Sequence, residues 1–120
     1  MNRLLLLLTL PLFGCTPTET LDPTLDAIQE EVFALSCAFS TCHGGNAPQS
    51  GLDLQNKQRS FDSLIDVDGE DASLVRVVPG DPDSSLLYQS LLDAVEGVGV
   101  MPRDGELESY KIEAIRQWIE

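Results

Sequence analysis

A chain of 120 residues is long enough for one domain, and its 42% hydrophobic content suffices for one modest core. It carries 20 acidic against 7 basic side chains, a formal charge of −13, which excludes a phosphate-binding face of clustered Lys and Arg and argues against lying flat on an anionic bilayer. The same balance suits a positively charged protein partner met by electrostatic steering, or serves only to keep an exported domain soluble.

Residues 1–14 begin Met1-Asn2-Arg3, pass through the apolar run Leu4 to Leu8 and reach Leu12-Phe13-Gly14. A short positive start, an apolar run and then a small residue read as a signal peptide. The run is too short to cross a bilayer as a helix. With Cys15 added, Leu12-Phe13-Gly14-Cys15 resembles the lipobox of bacterial lipoproteins. That resemblance implies cleavage before Cys15 and a lipid on its thiol. The competing reading is a plain secretory signal with an incidental cysteine. Thr16 is not the aspartate that resembles an inner-membrane retention signal, which leans toward the outer membrane. The expected location is the cell envelope, lipid-anchored on the periplasmic side or at the outer membrane. Residues 15–23 then form a polar, proline-containing tether, and residues 24–120 the folded domain.

Four helices are expected in the domain. Asp22 and Pro23 offer a cap and first-turn proline for a helix to about Phe39, with Leu25, Ile28, Val32, Leu35 and Phe39 on one apolar face. Ser60 is a plausible cap for a short helix from Phe61 to Ile65. The acidic loop from Asp66 to Asp71 follows, read as a solvated turn because it lacks the ligand spacing of a calcium loop. Leu74 to Val78 is extended and stops at Pro79-Gly80. A third helix runs from Pro82 to about Ala94, with Leu86, Leu87, Leu91 and Val95 inward, and Gly97 and Gly99 break it. The last covers Glu108 to Glu120, with Ile112, Ile115, Trp118 and Ile119 on one side.

The chemistry concentrates in Cys37-Ala38-Phe39-Ser40-Thr41-Cys42-His43-Gly44-Gly45. A cysteine followed directly by histidine, with a second cysteine upstream, is the attachment pattern of a c-type haem. In that pattern the thiols of Cys37 and Cys42 would bond the haem, and His43, the single histidine, would be the proximal iron ligand. Four residues separate the cysteines where the usual motif has two. Gly44 and Gly45 let the chain turn where a side chain would obstruct a flat cofactor. Met101, the only methionine after the leader, sits in a glycine-flanked loop before Pro102. It reads either as core filler or as the second axial ligand. Zinc on Cys37, Cys42 and His43 lacks a fourth Cys or His. A Cys37–Cys42 disulfide in a haem-free lipoprotein module with a structural or binding role is the stronger alternative. No nucleophile–base pair or phosphate loop indicates an enzyme.

From about residue 29 onward the chain resembles planctomycete-type cytochrome c domains and small cytochrome c-like lipoproteins. The resemblance lies in the Cys37 to Gly45 run, in Gly51-Leu52-Asp53-Leu54, in Val78-Pro79-Gly80-Asp81-Pro82-Asp83-Ser84-Ser85-Leu86-Leu87, and in Met101-Pro102 followed by Ile115-Arg116-Gln117-Trp118-Ile119. It implies an all-α cytochrome c-like domain, first and last helices packed together, and long loops around one haem c. It implies Cys37 and Cys42 as attachment thiols, His43 as proximal ligand and Met101 as distal ligand. The expected activity is electron transfer with basic redox protein partners, the membrane reached through Cys15, and no nucleic acid.

Overall fold

The computed structural model describes residues 14–70 and 73–120. The stretch read as a signal peptide, as far as Phe13, and Asp71 of the acidic loop lie outside the described residues. Residues 14–20 are exposed and lack regular structure, as a polar tether requires.

The first helix, α1 (Leu25–Ile28), starts two residues later than Asp22-Pro23 suggests. Thr24 has the extended backbone of a cap, and its Oγ1 accepts from the Ala27 N–H at 3.2 Å. Asp22 instead receives the Thr24 N–H on its carbonyl at 2.8 Å, in the turn that precedes the helix. From Gln29 to Cys37 the helix widens to π geometry, in which each N–H reaches five residues back. The Ala38 N–H closes this stretch on the Phe33 carbonyl at 2.8 Å.

Widening rotates the later side chains off the three- and four-residue pattern. Leu35 and Phe39, expected inward, are 58% and 46% exposed. Phe33 is fully buried instead, and Cys37 packs against the core.

The second helix, α2 (Lys57–Leu64), is longer than expected and starts earlier. Its cap is Asn56, whose side chain accepts from the Arg59 N–H at 3.0 Å. Ser60 is no cap: it is fully buried inside the helix, and its hydroxyl donates to Gln29 Oε1 at 2.6 Å. Gln29 Nε2 donates onward to the Leu54 carbonyl at 2.9 Å. One buried amide thus joins the first helix, α2 and the loop between them.

Leu74 to Val78, expected to be extended, pairs through single bridges, Val77 with Ile65 and Val75 with Asp68. The helix expected over 82–94 is divided. A 3₁₀ turn covers Pro82–Ser84, Ser85 is extended, and α3 spans Leu86–Leu92. The cause is the buried Ser85 hydroxyl, which donates to the Asp81 carbonyl at 2.8 Å and accepts from the Val78 N–H at 2.9 Å. The helix stops at Leu92, before Gly97 and Gly99, which both take a φ of +83° in the loop beyond.

The last helix, α4 (Ser109–Ile119), packs on α1 as the resemblance implies. Ile115 and Ile119 meet Leu25, Ile28, Val32 and Phe33 in the core, which Leu54, Leu64, Val77 and Leu107 complete. The Gly80 N–H binds the Ile119 carbonyl at 2.7 Å and ties the end of α4 to the turn before α3. The exposed pairs of Arg116 with Glu113 and Glu120 add little. The described residues are all-α, with first and last helices together.

Replacing Ser60 with Ala leaves the buried Gln29 carbonyl oxygen without its donor. Urea unfolding is expected to show a loss of about 1–3 kcal/mol. In a double-mutant cycle with Gln29→Ala the two losses should be strongly non-additive.

Candidate functional site

A narrow cleft of about 100 Å³, open on one side, lies between the first helix, α2, α3 and the loop before α4. Leu52, Leu54 and Leu64 form one apolar wall, and Leu86, Leu87 and Leu91 another. Cys37, His43 and Met101 all line it.

The wide helical turn delivers Cys37 to this cleft. The following residues double back under a dense set of backbone bonds. The Cys42 N–H binds the Phe39 carbonyl at 2.9 Å, and the His43 N–H binds the Cys37 carbonyl at 3.0 Å. Gly44 fits only because it has no side chain: a Cβ there would lie 2.2 Å from the Ala38 carbonyl oxygen. The need for glycine therefore comes from the end of the helix, not from the cleft.

His43 is held on both sides of its backbone, since its carbonyl accepts from the Leu54 N–H at 2.8 Å. Its ring Nδ1 lies 3.2 Å from the Gln49 carbonyl oxygen. A carbonyl only accepts, so Nδ1 carries the proton and Nε2 keeps a free lone pair for a metal. Burial lowers the pKa of His43 from its ordinary value of 6.5, and Arg76 and Arg103 lower it further, against the raising effect of the backbone bonds. The imidazole stays neutral and a competent donor at pH 7.

Met101 reaches the cleft from the glycine loop. Its N–H donates to the Ser90 carbonyl of α3 at 2.8 Å, and Arg103 crosses the loop to the Val98 carbonyl at 2.7 Å. Met101 is half-buried on the cleft wall and is not part of the packed core, which speaks against its being core filler.

The two cysteines of the motif differ sharply. Burial pushes the Cys37 thiol up to about 12, and nearby Cys42 and Asp104 add to the rise. Cys42 is exposed, lies beside the Thr41 hydroxyl at 3.8 Å and does not line the cleft. The two thiols are not bonded to each other. Cys15 is exposed in the tether, apart from the cleft. No group of three His, Cys, Asp or Glu is placed to hold a metal ion among the described residues, so the zinc set does not come together there.

Arg76 was not singled out from the sequence, and it is the most unusual residue of the site. It is buried, with 6% of its surface exposed, and lines the cleft. Its guanidinium donates to the Ser63 carbonyl at 2.9 Å and to the Ser50 carbonyl. Burial lowers its pKa, and the charge of Glu70 opposes that. The available signal was one arginine inside the apolar run Leu74-Val75-Arg76-Val77-Val78. Arg103 also lines the cleft, so two of the chain's 7 basic residues gather there.

An imidazole, a thioether, the thiol of Cys37, apolar walls and two cations line the cleft and are the kinds of group a haem takes up, while the second thiol, Cys42, stands outside it. Residues 40–105, more than half of the chain, match the family described as Planctomycete cytochrome C. The chain belongs to this family. Membership in this cytochrome c family implies a haem c and points to electron transfer. The matched span contains Cys42, His43 and Met101, while Cys37 lies just ahead of it. No curated protein and no solved structure matches this cytochrome.

With Cys37 near 12, only about one of its thiols in ten thousand is ionised at pH 8. Brief iodoacetamide treatment of the haem-free cytochrome should therefore label exposed Cys15 and Cys42 and spare Cys37. Peptide masses are expected to show Cys37 labelled only after unfolding in urea.

Proposed function

We propose that this cytochrome carries electrons at the cell envelope through one covalently bound haem c. The observation that carries the reading is that the only histidine and the only methionine after the leader line one cleft from distant parts of the chain. When bound, the haem supplies one-electron chemistry. Cys37 and Cys42 would hold it through their thiols, and His43 and Met101 would offer the iron an imidazole and a thioether.

The protein's own contribution is positioning. The Gln49 carbonyl fixes the His43 tautomer and ring direction. The Ser90 carbonyl holds the backbone of Met101. Leucines from both walls keep water from the centre of the cleft, and Arg76 and Arg103 offer donors to carboxylates at its edge. With an imidazole and a thioether both offered to the iron, the reading is a carrier rather than an enzyme. Cys15 carries the lipid in this reading, and residues 15–23 hold the domain away from the membrane.

Absorption spectra test the cofactor. Protein made with a working haem-attachment pathway is expected to show a sharp c-type α-band on dithionite reduction. The oxidised form should show a weak far-red band that Met101→Ala abolishes. A protein without a Soret band would overturn the proposal in favour of the haem-free module with a Cys37–Cys42 disulfide.

The anchor has its own test, partition between detergent and water. The mature protein from an expressing bacterium is expected in the detergent phase, and Cys15→Ser in the aqueous phase. Equal partition of the two would remove the lipid.

A further inference from the structure

A second, open concavity of about 290 Å³ is lined by residues next in sequence to those of the cleft. Leu35, Phe39, Pro102 and Leu107 supply its apolar surface, and Asp104 and Glu106 stand on it with Glu108 and Lys111. The groove exists because the wide helical turn sends Leu35 and Phe39 outward, leaving each about half exposed. Neither side chain contributes to the core.

Two features give the groove a meaning. The first is its wall. Ser36 faces the groove and Cys37 the cleft; Pro102 faces the groove and Met101 the cleft. Whatever occupies the groove is separated from the contents of the cleft by the thickness of one stretch of chain. The second is charge. Glu108 is paired with Lys111 at 3.4 Å, whereas Asp104 and Glu106 make no ion pair among the described residues. Both are exposed.

We propose that this groove is the docking surface for a redox protein that presents an apolar side chain ringed by Lys or Arg. The proposal rests on the electron-carrier reading and names the partner's chemistry. The unpaired carboxylates complement such a face, and the exposed Leu35 and Phe39 receive its apolar centre. A small contact of this kind suits an encounter that must form and dissolve quickly. A second copy of this chain is a poor occupant, because each brings 20 acidic against 7 basic side chains. An anionic bilayer is excluded by the same sign of charge.

The test is a heteronuclear NMR titration of the purified mature protein with a short peptide of one tryptophan flanked by lysines. Shifts are expected to concentrate at Leu35, Phe39 and Arg103 to Glu106. The double variant Asp104→Asn/Glu106→Gln should weaken binding about fivefold at low salt, with the difference closing as salt rises. Leu35→Ser should weaken it at both salts. The control Asp83→Asn/Asp93→Asn removes two exposed carboxylates elsewhere and should leave binding unchanged. Shifts scattered over the acidic surface, equal weakening by the control pair, or self-association at the groove would each overturn the proposal. The reduced spectrum of the same sample separates the two readings. Focused shifts without a c-type α-band keep the groove and remove the carrier; a normal α-band with scattered shifts does the reverse.

Discussion

The pitch of the first helix governs the molecule. An ordinary α-helix would carry Leu35 and Phe39 inward along the face begun by Leu25, Ile28 and Val32. The five-residue bonding from Gln29 onward turns that face away and brings Phe33 and Cys37 inward. The backbone then folds onto the helix end at Ala38, where only glycine fits opposite, and His43 follows at a fixed place. Cleft and groove are two sides of this one departure from regular geometry. The buried Gln29 amide, at the start of the wide stretch, holds it in register with α2 and the Leu54 loop.

Charge is distributed with the same economy. The chain is strongly acidic, yet Arg76 and Arg103 stand at the cleft, where Glu70 is the only acid on the wall among the described residues. Arg76 is held by carbonyl oxygens of Ser63 and Ser50, which orient it without neutralising it. A cation kept inside an anionic protein acts on the cleft through a medium that screens poorly. The acids, in contrast, are mostly exposed to water and act outward.

Much of the fold, and three of the residues that line the cleft, were legible in the sequence. Helix periodicity and the proline and glycine stops placed the last helix to within a residue and located the others. Of the residues singled out by motif, Cys37, His43 and Met101 line the cleft and Cys42 does not. The misses share a cause: side chains whose partners are remote in sequence. Ser60 looks like a cap until Gln29, far along the chain, claims its hydroxyl. Ser85 interrupts a helix because Val78 and Asp81 lie across a turn from it. Arg76 finds carbonyls on two other segments. Asn56 outranks Ser60 as a cap because the helix it starts is needed earlier, to bring Lys57 to Asp26 and Ser60 to Gln29. The helix pitch left no mark that spacing alone reveals.

The contact that holds the glycine loop has one more consequence. Met101 hangs from Ser90 by main-chain atoms at both ends, an N–H and a carbonyl. Exchanging either side chain leaves the bond intact; only proline at position 101 would delete its donor. The spacer from Asp93 to Val100 is mostly exposed and, apart from Gly97 and Gly99 with their positive φ, can change in sequence without deleting this bond. The loop thus separates what must be exact from what is free to vary, and its tolerance to change is greatest one short segment away from its most constrained residue.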